Sequence, residues 1–134
     1  MTQAIIFTND NGGVSVCIPT GEISIEEVLE KDCPSGAIIV DNSTLPQGAD
    51  AQFFDAWEFN GSTVTVNLDK AKTIKLSQFN ANAIEIAQKR QLNTLAGINN
   101  AVSDADFTTS LTAGRASIAS ATTTDELVAI ANPA

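Results

Sequence analysis

The 134 residues contain no histidine and no tyrosine. The first absence excludes every mechanism that needs an imidazole: a Ser-His-Asp triad, a Cys-His pair, a His-ligated zinc. Two cysteines, Cys17 and Cys33, stand sixteen positions apart, too far for a redox C-x-x-C motif and too few for a structural zinc site. They are read as small apolar residues in a reduced setting, since nothing points to an oxidising compartment, although a disulfide between them stays open. Basic residues number only 7 against 16 acidic ones, a net charge of −9, which argues against binding nucleic acid. No apolar run reaches the 18 or so residues that would cross a bilayer, so no membrane partner is expected. The opening MTQAIIFTND has no basic region ahead of its apolar residues, which argues against a secretory signal.

Apolar residues make up 43% of the chain and charged residues 17%, enough to fill a core and too few charges for a disordered chain. The charge is lopsided. Residues 1–69 carry eleven acidic groups and only Lys31 as a base, whereas residues 70–134 carry six bases and five acids. The change coincides with a change of period, so the reading is a small α+β sheet domain over 1–67 and a helical extension or bundle over 68–134.

In the first half, Ala4–Thr8 and Val14–Ile18 are β-prone runs around Asn9-Asp10-Asn11-Gly12-Gly13, which is turn chemistry throughout. Ser24 followed by Glu27 is a capping box that opens a short helix with Ile25, Val28 and Leu29 on one face. Ala37–Val40 reads as a buried strand, and 41–50 as loop. Four of the seven aromatics, Phe53, Phe54, Trp57 and Phe59, fall within seven residues, as a sheet core or as a client-binding surface. Asn60-Gly61 then turns a second hairpin into Thr63–Asn67.

From Asp69 to about Leu95 no glycine or proline interrupts a long helix. Leu76, Phe79, Ala83, Ile86 and Ala87 share one stripe at 100° per residue, Ile84, Leu95 and Ile98 an adjoining one, and Ile74 and Leu92 lie near the opposite side. Gly97 and Asn99-Asn100 end the helix. Ser103 caps the next, whose Phe107, Leu111, Gly114 and Ile118 form a narrow seam. Thr123 and Glu126 form a second capping box for a last short helix. The fold class is therefore α+β: a small antiparallel sheet with one short helix, then a long helix and a C-terminal helical hairpin. Apolar residues on more than one side of the long helix imply burial against other chains. The candidate oligomer or partner interface is Ile74, Leu76, Phe79, Ala83, Ile86, Leu92, Phe107, Leu111 and Ile118.

No constellation points to catalysis. Glu26 and Glu27 are explained by capping, Asp55 and Glu58 by a solvated strand edge, and Asn9–Gly12 lacks the spacing of a calcium loop. Gly12-Gly13 precedes no helix and is no phosphate loop. The expectation is a protein that is not an enzyme and has no catalytic residue, no metal site and no cofactor. Lys70, Lys72 and Lys75 occupy the first turns of the long helix, the unfavourable end for cations. Either they are solvated or an acidic group compensates them, with the acidic first half the obvious candidate.

The segments AIIFTNDNGGVSVCIP (4–19), EISIEEVLEKDCPSGAIIV (22–40) and DNSTLPQGADAQFFDAWEFNGSTVTVNLDKAK (41–72) together carry an ordered run of small motifs: Gly12-Gly13-Val14, Ile25-Glu26-Glu27, Asp32-Cys33-Pro34-Ser35-Gly36, Leu45-Pro46, Phe54-Asp55-Ala56-Trp57-Glu58 and Asp69-Lys70-Ala71-Lys72. This run resembles a family of small proteins encoded among the tail genes of tailed bacteriophages. The helical half is similar only in general form to the C-terminal parts of tail-fibre assembly proteins, and is Asn- and Gln-rich where similar proteins are rich in Arg and Lys. The resemblance implies a structural virion component, tail-, baseplate- or tail-fibre-associated, made in the bacterial cytoplasm and placed in the virion. Its partners would be other phage tail proteins and further copies of itself. The alternatives are a tail-fibre assembly chaperone absent from the mature particle and, more weakly, a head decoration protein.

Overall fold

The computed structural model describes residues 2–133. The chain is α+β and divides between Asn67 and Leu68 into two compact units.

The first unit is built on strand β1 (Gln3–Thr8), which pairs antiparallel with β2 (Val14–Cys17) on one side and with β3 (Ile38–Asp41) on the other. The β1–β2 turn follows from Asn9, whose side-chain oxygen accepts from the backbone N–H of Asn11 and of Gly13, both at 3.0 Å. Gly12 supplies the positive φ of 81° that closes it. The central position of β1 buries both of its faces: Ala4, Ile5 and Ile6 are at most 1% exposed. Register assigns those faces. Ile6 lies opposite Val16 and Ile38, and Ile5 lies opposite Cys17 and Ile39.

A second sheet, β4 (Trp57–Phe59) with β5 (Val64–Val66), completes the core. Ile6, Val14, Leu45 and Trp57 form its centre, with Val16, Ile38, Val40, Phe59, Val64 and Val66 around them. Thr65 alternates outward, the wet face that a period of two requires. Helix α1 (Ile25–Asp32) packs on β1 and β3 and buries Val28. Its start is the N-cap of the expected capping box: Ser24 Oγ accepts from the Glu27 N–H at 3.3 Å.

Three local expectations are corrected. The run at 37–40 is an edge strand, Ile38–Asp41, with every residue half-buried. The region read as loop, 41–50, contains a 3-10 turn at Asn42–Thr44, capped by Asp41, and runs into a second 3-10 segment, Asp50–Ala56, that carries Phe53 inward. The second hairpin is closed by four residues rather than by Asn60-Gly61 alone. Asn60 Oδ1 accepts from the N–H of Ser62 at 2.9 Å and of Thr63 at 2.8 Å, which shifts the turn's centre past Gly61.

The second unit consists of α2 (Leu68–Leu95), α3 (Asp104–Ser120) and α4 (Thr124–Ala129). Helix α2 stops in a Schellman motif: Gly97 takes φ 75°, Ile98 N–H bonds to Asn93 O at 2.8 Å, and Gly97 N–H to Thr94 O at 3.2 Å. Ser103 caps α3 by accepting from Asp106 N–H, and Thr123 caps α4 by accepting from Glu126 N–H. The contacts Lys72–Ala119, Asn80–Arg115 and Arg90–Asp104 climb one helix while descending the other, so α2 and α3 run antiparallel.

Candidate functional site

Helix α2 carries two apolar rows, and they have different fates. Phe79, Ala83, Ile86 and Arg90 lie within an arc of roughly 60° at 100° per residue. This arc faces α3. Phe79 is 1% exposed and lies directly on the α3 backbone at Gly114, where a Cβ would overlap its ring. Ala83, Phe107 and Ile118 are buried in the same unit.

This corrects the expectation that Phe79, Ala83, Phe107 and Ile118 face another chain: they are spent within this one. Ile74, Ile86 and Leu111 are half-buried. Of the expected interface, only Leu76 and Leu92 are exposed. The sequence pattern was a correct record of burial and a wrong record of the partner. A stripe that meets its own antiparallel neighbour has the same period as one that meets a second molecule.

The other row lies on the opposite side. Ile84, Gln88, Leu92 and Leu95, with Ala81, fall within roughly 40° of the direction opposite Phe79, again at 100° per residue. Ile84 is 60% exposed, Leu92 66% and Leu95 77%. Ile98, just beyond the helix end, is 58% exposed. The sequence shows Ile84, Leu95 and Ile98 as an adjoining stripe outside the expected interface, and of this exposed row only Leu92 belongs to that interface.

A groove of about 530 Å³ runs beside this row, lined by Arg90, Gln91, Leu95, Asp104 and Phe107 among others. Arg90 organises it. Its guanidinium stands 4.9 Å over the Phe107 ring and donates to Asp104 Oδ1 at 2.6 Å. The Arg90 side chain is largely covered, whereas Asp104 is almost wholly solvated. The pair therefore gains little from charge alone, and the cation–π contact anchors the arginine.

The lysines at the start of α2 find partners that sequence reasoning did not foresee. Lys72 Nζ donates to Ala119 O at 2.9 Å, in the last turn of α3. Lys75 Nζ donates to Ile130 O at 3.1 Å, at the C-cap of α4. Carbonyls at helix C-termini are left without intrahelical donors and carry the negative end of the dipole. For Lys72 and Lys75 the compensation thus comes from the ends of the two following helices. An antiparallel hairpin dictates this, because it brings the start of one helix to the end of the next.

The aromatic residues divide in the same way. Phe53 and Trp57 are buried, Phe59 is half-buried, and Phe54 remains 43% exposed. Trp57 Nε1 donates to Asp50 O at 3.0 Å, and its ring meets Phe54 at a centroid distance of 4.8 Å. The cluster is mainly sheet core.

Among the titratable groups, Asp41 is held below the usual carboxylate range because it accepts from the backbone N–H and the hydroxyl of Ser43. Glu126 is lowered likewise by the N–H and hydroxyl of Thr122. Both serve turn or cap geometry. Burial, followed by the neighbouring Cys17 and Asp32, pushes the Cys33 thiol up. Cys17 lies on the sheet face of Ile5 and Ile39, and both cysteines are free. Among the described residues no three Cys, Asp or Glu side chains gather as metal ligands, and no helix is long and apolar enough to cross a membrane.

Comparison with known protein families, with curated proteins and with solved structures gave no match.

Proposed function

We propose that this chain is a non-enzymatic structural component of a bacteriophage virion, a tail, baseplate or tail-fibre-associated subunit that acts through protein–protein contacts. One observation carries the assembly role: α2 keeps Ile84, Leu92 and Leu95 exposed on the side opposite its own core. A helix packed only against its own unit wets that side with polar residues. The exposed apolar area of this row, with Ile98, is on the order of 400 Å², the size at which a surface patch on a monomer is commonly a contact site. The setting in a phage tail is supported by the motif run between Ala4 and Lys72, which resembles small proteins from tail gene clusters.

The chaperone alternative needs an accessible aromatic surface for its client. With Phe53 and Trp57 inside the sheet core, Phe54 alone of the cluster is exposed, at 43%, so the structural subunit is the better-supported role. Quantitative mass spectrometry of purified particles from the phage that encodes the chain tests it. A structural subunit appears at a fixed copy number relative to the tail proteins. Absence from particles, with loss of fibres on deletion of the gene, would replace it with the chaperone.

A further inference from the structure

We propose that the exposed face of α2 pairs with the same face of a second copy, antiparallel, about a two-fold axis that passes the helix between Lys89 and Arg90. This rests on the assembly role above and names its first partner. The register carries it. Ala81, Ile84, Gln88, Gln91 and Leu95 follow spacings of three, four, three and four, the repeat of a two-helix seam. Under that two-fold the row maps onto itself: Ile84 meets Leu95 of the second copy, Gln88 meets Gln91, and both pairs recur on the other side of the axis. Each apolar side chain finds an apolar partner. Each glutamine finds an amide that can both donate and accept. Leu92 flanks the seam and covers its edge. An interface closed in this way is isologous, the commonest kind in soluble oligomers.

Charge and area agree with a second copy as the occupant. The unit from Leu68 onward holds six bases and six acids and is neutral, so two such units approach without net repulsion. The unit up to Asn67 holds ten acids and one base, and its surface disfavours self-pairing. Two copies of the apolar row, with the central glutamines, bury roughly 1,000 Å² in total, which is the lower bound for a specific interface. A pairing of that size lies at the weak, transient end of specific interfaces, so the dimer is expected to be reversible.

The test uses the full chain in sedimentation velocity from about 1 to 500 μM. The wild type is expected to pass from the 14.0 kDa species to twice that mass. Ile84→Glu alone and Leu95→Lys alone each raise the dissociation constant at least about tenfold, because each buries an unpaired charge at the seam. Both positions are largely exposed, so circular dichroism stays unchanged. Ile84→Glu combined with Leu95→Lys sets Glu against Lys at both ends of the antiparallel pair and restores the dimer. A wild type that stays monomeric to 500 μM overturns the pairing, and so do single variants that dimerise like the wild type. A double variant as monomeric as the singles overturns the antiparallel register. The two proposals fail separately. A monomeric chain found in particles at fixed copy number ends the pairing and leaves the assembly role, whereas a dimeric chain absent from particles does the reverse.

Discussion

Gly114→Ala is the sharpest probe of how the helical unit is held together. In an ordinary helix interior, replacing glycine by alanine stabilises by about 1 kcal/mol, because alanine restricts the unfolded chain and lacks the entropic cost of glycine. Here the added methyl would overlap the Phe79 ring, whose neighbours leave it 1% exposed and without room to swing aside. Relief requires α2 and α3 to separate, and overpacking of this kind costs about 1–3 kcal/mol. The overlap is deep, so the upper end applies, and the net loss is about 2 kcal/mol. For a unit of this size that lowers the melting temperature by roughly 8–15 °C. Thermal unfolding followed at 222 nm reads mainly the helices and suits the measurement. Phe79→Leu in the same chain makes space for the methyl, so the double variant should lose at least about 1 kcal/mol less than the sum of the singles. A Gly114→Ala chain that melts at or above the wild-type temperature would refute the close packing of Phe79 on α3.

Two further outcomes follow from the same geometry. Lys75→Met removes the donor to the Ile130 carbonyl and should destabilise the helical unit by about 1 kcal/mol, whereas Lys89→Met on the exposed side should stay within about 0.5 kcal/mol in the same melt. Cys33 should alkylate at pH 8 more slowly than a small free thiol, since its raised pKa leaves less thiolate at that pH. The rate should climb as pH rises toward the folded value. Cys17→Ser should speed the reaction only in part, because burial is the larger cause, and a Cys33 rate equal to the free thiol would contradict the assignment.

Much of the fold was legible because local chemistry and global structure agree. Asn9 through Gly13 specify a turn with or without the rest of the chain, and Ser24, Ser103 and Thr123 each cap the helix that they precede. Gly97 ends α2 because only a residue at ease with positive φ completes a Schellman motif. What escaped was set by neighbours distant in sequence. Nothing local shows that Phe53 turns inward on a 3-10 segment, or that the carbonyls of Ala119 and Ile130 wait for Lys72 and Lys75. The identity of what covers Phe79 was hidden for the same reason. Periodicity reports which side of a helix is buried, and only the antiparallel return of α3 supplies the covering partner. Once that row is spent within the chain, the row through Ile84 and Leu95 is the apolar part of α2 left exposed.

Hydroxyl-radical footprinting of residues 81–98, in the isolated chain at low concentration and in purified particles, tests the assembly role most directly. The role predicts that Ile84, Leu92 and Leu95 label readily in the free chain and are strongly protected in the particle, while Phe79 stays protected in both. Equal labelling of Leu92 and Leu95 in the two states would contradict it.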